Sequence, residues 1–255
     1  MSGRRPILLL DFDGVICDST EECAVAAWNA WLAHRGRDGF VRDAAEVPEP
    51  YLGTLRRLRK FVRTAGEYYV PLTAAESGRE VEGRREFDRL SRRDRRQVSA
   101  FAERVFAARA RLRREDEAHW IDLHRLYPGI AAQVRRVWPQ LEPFLVTGKD
   151  RETVTVFFRR FGVELPGERI YDRDAGHDKL GVARRIAGRL GRGLAEMTAL
   201  DDNVHHLLPL KRAGCRVLMA EWGYHTEEDL RLAEEQGVRR VGLEDWPAAL
   251  LSESR

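Results

Sequence analysis

A chain of 255 residues, 43% hydrophobic and 33% charged, has the composition of a soluble globular protein with room for one large domain or two modest ones. Its 44 basic residues stand against 41 acidic ones, and a formal charge of +3 gives no global signal for a nucleic-acid partner. Three cysteines without metal-binding spacing point to free thiols in a reducing compartment. No apolar stretch approaches membrane-spanning length, so the expected setting is cytoplasmic, with no membrane partner.

The first apolar run, Ile7 to Leu10, is too short for a signal-peptide core and leads straight into Asp11-Phe12-Asp13-Gly14-Val15. Such a run reads as a buried strand of a parallel sheet, and ligands collect at the carboxyl ends of those strands. Residues two apart on an extended chain point the same way, so Asp11 and Asp13 can face one site. Two like charges about 4 Å apart at an effective dielectric of about 20 repel by roughly 4 kcal/mol, a cost that a cation or a reaction would explain. Gly14 lets the backbone turn sharply after them.

From about Ser19 to Leu126 no convincing strand appears. Helices are expected over Thr20–Arg35, Tyr51–Thr64, Glu80–Leu90 and Arg93–Glu117, with Tyr68 and Tyr69 in a loop able to reach a substrate. Trp28, Trp31 and Trp120 are expected to pack this helical part, and Cys17, Cys23 and Cys215 to behave as buried small apolar residues. The arginine pairs between Arg79 and Arg114 read as a solvated face in an arginine-biased chain, ahead of a surface that attracts polyanions.

At Tyr127-Pro128-Gly129-Ile130 an alternating pattern returns. Strands are expected over Pro143–Thr147, Arg169–Tyr171, Met197–Asp201, Arg216–Ala220 and, as an edge, Val238–Val241. Helices are expected over Arg151–Phe161, Asp178–Leu190, Val204–Ala213 and Thr226–Gln236. This alternation predicts an α/β fold: a Rossmann-like three-layer core with a mostly parallel sheet, assembled from residues 1–18 and 127–255. Residues 19–126 form an inserted all-helical domain.

Polar residues stand at the ends of these runs. Thr147-Gly148 follows the second, Asp201-Asp202-Asn203 the fourth, and Lys179 opens a helix between them. Forty of the 44 basic residues are arginine, and Lys60, Lys149, Lys179 and Lys211 are the four lysines. A retained lysine marks a place where a compact ammonium suits better than a broad guanidinium. Oxygen-only ligands favour a hard cation such as Mg²⁺, and no His/Cys cluster argues for zinc.

In these residues the chain resembles the haloacid dehalogenase superfamily hydrolases. Four motifs occur in the family's order: Asp11-Phe12-Asp13-Gly14-Val15, Thr147, Lys179 and Asp201-Asp202. The helical insertion is similar to a C1-type cap, and the segments Asp13 to Trp28 and Tyr127 to Val134 resemble the branch of phosphoglycolate phosphatase and β-phosphoglucomutase. The resemblance implies Asp11 as the nucleophile and Asp13 as the general acid and base. It implies Thr147 and Lys179 as oxyanion partners, with Gly14 and Gly148 beside the phosphate. It places Mg²⁺ between the Asp11 carboxylate, the Asp13 carbonyl and Asp202, with Asp201 as a direct or outer partner. The implied activity is hydrolysis of a small phosphate monoester through an aspartyl-phosphate, the cap closing over the site. Alternatives are a phosphomutase using the same intermediate and a non-catalytic binding protein on this fold. Two departures stand out: Leu180 follows Lys179 where proline is usual, and Asn203-Val204-His205-His206 replaces the usual glycine-containing helix start. Both histidines are expected to pack on the helix surface ahead of reaching the site.

Overall fold

The structure, a computed structural model, describes residues 4–176 and 178–251. The chain divides into two compact units, Met1–Asp18 with Leu126–Arg255, and Ser19–Arg125. The strands are β1 (Ile7–Leu10), β2 (Cys17–Asp18), β3 (Arg125–Leu126), β4 (Glu142–Val146), β5 (Ile170–Tyr171), β6 (Met197–Asp201), β7 (Arg216–Ala220) and β8 (Arg239–Val241). The helices of the first unit are α7 (Ile130–Val137), α8 (Arg151–Arg160), α9 (Lys179–Leu190), α10 (Val204–Arg212), α11 (Glu227–Glu235) and α12 (Trp246–Leu251). Those of the second are α1 (Thr20–His34), α2 (Glu49–Leu58), α3 (Tyr69–Ser77), α4 (Gly83–Arg93), α5 (Arg95–Glu115) and α6 (Glu117–Asp122).

Six strands pair in the order β5-β4-β1-β6-β7-β8, every neighbouring pair parallel. Helical connections separate the sequential strands, as parallel pairing requires. Ile7, Leu8, Leu9 and Leu10 are all buried, which explains why β1 reads as an uninterrupted apolar run. Each such side chain stabilises the fold by about 1.5–3 kcal/mol relative to exposure. Leu10 lies level with Leu145 on one side and Leu200 on the other. The chain order reverses across β1, so its end is a topological switch point, where open α/β sheets bind ligands.

The expected strands of the sheet are all present, with boundaries moved by one residue at most. Glu142 opens β4 because its N–H donates to the Pro6 carbonyl, 2.8 Å away. β5 is cut to two residues by the tight turn Gly167–Arg169 before it.

The helical unit departs further from expectation. α2 starts earlier and stops at Leu58, passing through a tight turn at Arg59–Phe61. The Glu67 carboxylate then accepts the N–H groups of Arg63 and Thr64 and starts a new turn. The helix expected over Arg93–Glu117 is α5, two residues shorter at each end, and an additional short helix, α6, follows it, capped by Asp116, whose side chain accepts the His119 N–H at 3.0 Å. Tyr68 and Tyr69 are not in a loop. Tyr69 opens α3, whose sequence is apolar on most faces and carries Pro71 in its first turn, so no amphipathic period marks it. Tyr69 packs with Trp31, His34 and Phe101 at ring distances of 5.5–5.8 Å. Trp28, Trp31 and Trp120 are buried as expected, as are the three free cysteines.

Within this unit Glu22, fully buried on α1, is held by Arg109 of α5 at 2.5 and 3.0 Å and approached by the Trp120 indole nitrogen at 3.4 Å. His124 Nε2 lies 3.8 Å from the same carboxylate. Arg109 and Arg113 are therefore buried exceptions to the expected solvated face, while Arg85, Arg92, Arg93, Arg95, Arg96 and Arg114 are exposed. Among the described residues no helix is long and apolar enough to cross a membrane.

Candidate active site

Every polar strand end noted in the sequence falls at the carboxyl edge of the sheet. Asp11 follows β1 directly, and its N–H donates to the Leu200 carbonyl at 3.1 Å, which continues the β1–β6 pairing as far as the carboxylate. Asp201 is the last residue of β6, and Thr147 follows β4, its N–H on the Tyr171 carbonyl at 2.9 Å. One Asp11 oxygen accepts the Phe12 N–H at 2.8 Å, and the other lies 2.9 Å from the Lys179 ammonium. The same ammonium is 2.5 Å from Asp201. Lys179 sits in the first turn of α9, the wrong end of a helix dipole for a cation. Two carboxylates hold it there.

Charge and burial act against each other in this trio. Burial pushes Asp11 above the ordinary carboxylate range, Lys179 pulls it back, and the neighbouring Asp201 charge adds to the rise. Burial acts the same way on Asp201, but Lys179 and then His206 outweigh it and hold that carboxyl well below its usual value. Burial likewise opposes the charge on Lys179, and Asp11 and Asp201 more than offset it, so its pKa lies above that of an ordinary lysine. His206 Nδ1 reaches Asp201 at 3.2 Å, so this histidine is part of the cluster and not merely helix-surface packing. His205 instead reaches Asp229 at 3.1 Å, joining α10 to α11, the packing role expected of it.

Asp202 is buried and turned toward backbone. Its carboxylate accepts the Tyr224 N–H at 2.5 Å. Gly14 has φ +81°, and a side chain there would collide with this carboxylate; one at Gly223 would strike both Asp202 and the Gly14 carbonyl. The seat of Asp202 therefore depends on two glycines: Gly14 stands out in the sequence directly after Asp13, and Gly223 carries no such local signal. Gly148 is exposed at the bend after Thr147. The Thr147 hydroxyl accepts the Lys149 N–H at 3.2 Å, which leaves its hydrogen to donate elsewhere.

Asp13 is the remaining member. Its carboxylate lies 3.3 Å from the ammonium of Lys149, whose side chain is 1% exposed. Sequence reasoning did not place Lys149 at the site, although its being one of four lysines was the available signal. Nearby, the Tyr224 hydroxyl donates to Asp18 at 2.6 Å and the Trp222 indole to the Val15 carbonyl at 3.0 Å. These bonds fasten the loop after β7 to β2 and to the loop between β1 and β2.

Donor atoms of Asp11, Asp201 and His206 lie within 4.8 Å of one another. Asp11 and Asp201 share one ammonium, with His206 beside Asp201, and Asp202, next in the chain, adds a third buried carboxylate. A largely oxygen donor set with surplus negative charge fits a hard divalent cation.

A family model described as haloacid dehalogenase-like hydrolase matches residues 6–214, and the chain belongs to that family. None of the curated proteins matches the chain. Among solved structures, a predicted phosphoglycolate phosphatase from Haemophilus somnus is 13% identical with a TM-score of 0.64, over 98% of this chain and 99% of that one. A haloacid dehalogenase-like family hydrolase from Streptococcus pneumoniae is 15% identical, with a TM-score of 0.59 and full coverage of both chains. A predicted phosphatase from Clostridium acetobutylicum is 14% identical, with a TM-score of 0.59 over 97% and 99%. Identities of this size carry the fold and leave the substrate open.

Proposed function

We propose that this hydrolase is a Mg²⁺-dependent phosphatase that cleaves a small phosphate monoester through an aspartyl-phosphate on Asp11. The observation that carries the reading is the position of Asp11: a buried carboxylate at the switch point of the sheet, sharing one lysine with Asp201. Mg²⁺ would be held by Asp11, the Asp13 carbonyl and Asp202, with Asp201 beside them, and when bound it supplies charge neutralisation and polarises the phosphoryl group.

The protein's own groups do the rest. An Asp11 oxygen attacks phosphorus while the bond from phosphorus to the leaving oxygen breaks. Asp13 gives its proton to that leaving oxygen. Water then attacks the phosphorus of the acyl phosphate. Asp13 takes the water's proton, the Asp11 carboxylate departs, and inorganic phosphate is released. Thr147 and Lys179 donate to the phosphoryl oxygens on which charge develops.

The reading is tested by phosphate release from a panel of phosphate esters, with Mg²⁺ and with EDTA, comparing the protein with Asp11→Asn. Mg²⁺-dependent release that the substitution abolishes, by roughly 10⁴-fold or more as nucleophile loss does elsewhere, is the expected result. No release from any ester by the unsubstituted protein would remove it.

A further inference from the structure

Asp13 gives up one proton and takes back another in each turnover, and its carboxyl has to be held in one orientation for both transfers. Lys149 is built to hold it. Its ammonium is 3.3 Å from Asp13 Oδ1, and its side chain is 1% exposed where that of Asp13 is 21% exposed. The backbone beneath it is fixed from three directions. The Lys149 N–H donates to the Thr147 hydroxyl at 3.2 Å, and its carbonyl accepts the Arg173 N–H at 3.1 Å. The next residue, Asp150, caps α8 through the Thr153 N–H at 2.9 Å. With its backbone held and its side chain buried, Lys149 presents its ammonium to Oδ1 of Asp13 from one fixed side and so orients the carboxyl.

The choice of residue agrees. In a chain where forty of 44 basic residues are arginine, this buried position keeps a lysine. A guanidinium fork is broader than an ammonium and would displace the carboxylate it was meant to hold.

We infer that Lys149 is a positioning residue that orients the Asp13 carboxyl for proton transfer to the leaving oxygen and from the attacking water. This rests on the phosphatase reading above. No bond to Lys149 forms or breaks.

The test uses leaving groups that differ in their need for a proton. p-Nitrophenolate departs without one and an alkoxide does not. The full-length protein with Mg²⁺ and its Lys149→Met form are compared on p-nitrophenyl phosphate and on a simple alkyl phosphate, reading kcat/KM, which reports events up to formation of the phosphoenzyme. General acid catalysis contributes on the order of 10²–10⁴-fold, so the expected result is a loss of about 10²-fold or more on the alkyl ester and under about 3-fold on the aryl ester. A burst of nitrophenol followed by slow turnover is expected as well, because the phosphoenzyme also waits for Asp13.

Equal loss on both esters, or no loss on either, overturns the role of Lys149 while leaving the phosphatase reading in place. Absence of activity in the unsubstituted protein on every ester overturns the phosphatase reading and this inference with it. Should Lys149→Met not fold, Lys149→Arg carries the same contrast. In an Asp13→Asn background a further change at Lys149 is expected to cost nothing more on the alkyl ester, and an additive loss there overturns the coupling.

Discussion

Each unit of this protein buries a cluster of charges, and the two clusters are built to opposite ends. In the helical unit Glu22 is fully buried, Arg109 is 3% exposed and His124 is 4% exposed. There one carboxylate meets one guanidinium in a two-pronged contact, with an indole and an imidazole closing the sides. At the sheet edge Asp11 and Asp201 share a single ammonium, Asp202 is held by a backbone N–H, and Asp13 keeps part of its side chain open to solvent. The first cluster is matched in charge and sealed. The second carries surplus negative charge beside an accessible edge. Buried ion pairs are weak evidence for stability in themselves. The balance of charge and the access of solvent separate a structural cluster from one that awaits a ligand.

After the nucleophile itself, the largest expected effect belongs to the lysine that the sheet-edge carboxylates share. Replacing Lys179 with methionine removes a donor aimed at developing charge, and kcat/KM for any active ester should fall on the order of 10²–10³-fold. The pH response should change too, measured as urea midpoints in EDTA. Lys179 has a folded pKa above its unfolded value of about 10.4. Its contribution is therefore complete below about that pH and is lost as pH rises through the folded value. Asp201 is depressed below the unfolded value of about 3.9, so its contribution is present above about that pH and is lost as pH falls through the folded value. Without Lys179 the folded value of Asp201 moves up toward the unfolded one, so the acid-side loss should shrink and be complete at a higher pH. An unchanged pH profile would mean that the ammonium does not govern these carboxylates.

The sealed cluster should answer in stability. Glu22→Gln or Arg109→Met alone strands a buried charge and should cost about 3–5 kcal/mol, whereas an apolar pair at both positions should recover much of that loss. Chemical denaturation of the three variants decides it. If the single substitutions cost nothing, the contrast between the clusters fails.

The unequal legibility of the two regions has the same origin. β1, β4, β6 and β7 announce themselves as short apolar runs, and Asp11, Thr147 and Asp201 stand out because polar residues at such ends have no packing reason to be there. The anchoring of Asp202 depends on Gly223, far along the chain, and no local pattern connects the two. In the helical unit α3 shows no amphipathic period, and the burial of Glu22 and Arg109 depends on a pairing across 87 positions. His206 reads as packing in the sequence because its spacing from Asp201 acquires meaning only once α10 follows β6 in the fold.

Metal addition should sharpen the comparison from the ligand side. A cation that binds only the folded protein stabilises it by about 2.7 kcal/mol at a hundred times its Kd, and a chain of this length gains roughly 2–4 °C in Tm per kcal/mol. Mg²⁺ should therefore raise Tm by several degrees, and Asp201→Asn should reduce the rise. Glu22→Gln should leave the increment intact on a lower baseline, because its cluster holds no surplus charge. Equal loss of the increment in both variants would show that the clusters are not distinct in kind.

The smallest expected effect concerns a thiol. Cys215 is buried, and burial pushes its pKa up to about 11. Nucleophilic sulfur is thiolate, and an unfolded cysteine titrates near 8.5, so at pH 8 the folded thiol should hold less than about a hundredth of the unfolded thiolate fraction. Alkylation of Cys215 by iodoacetamide, followed by peptide mass analysis, should be slow in the native protein and become fast in urea. Labelling that is already fast under native conditions would show that the segment between α10 and β7 opens readily. The sheet edge would then have a mobile support beneath β6 and β7, and the contrast drawn above would need a third, looser region beside its two fixed clusters.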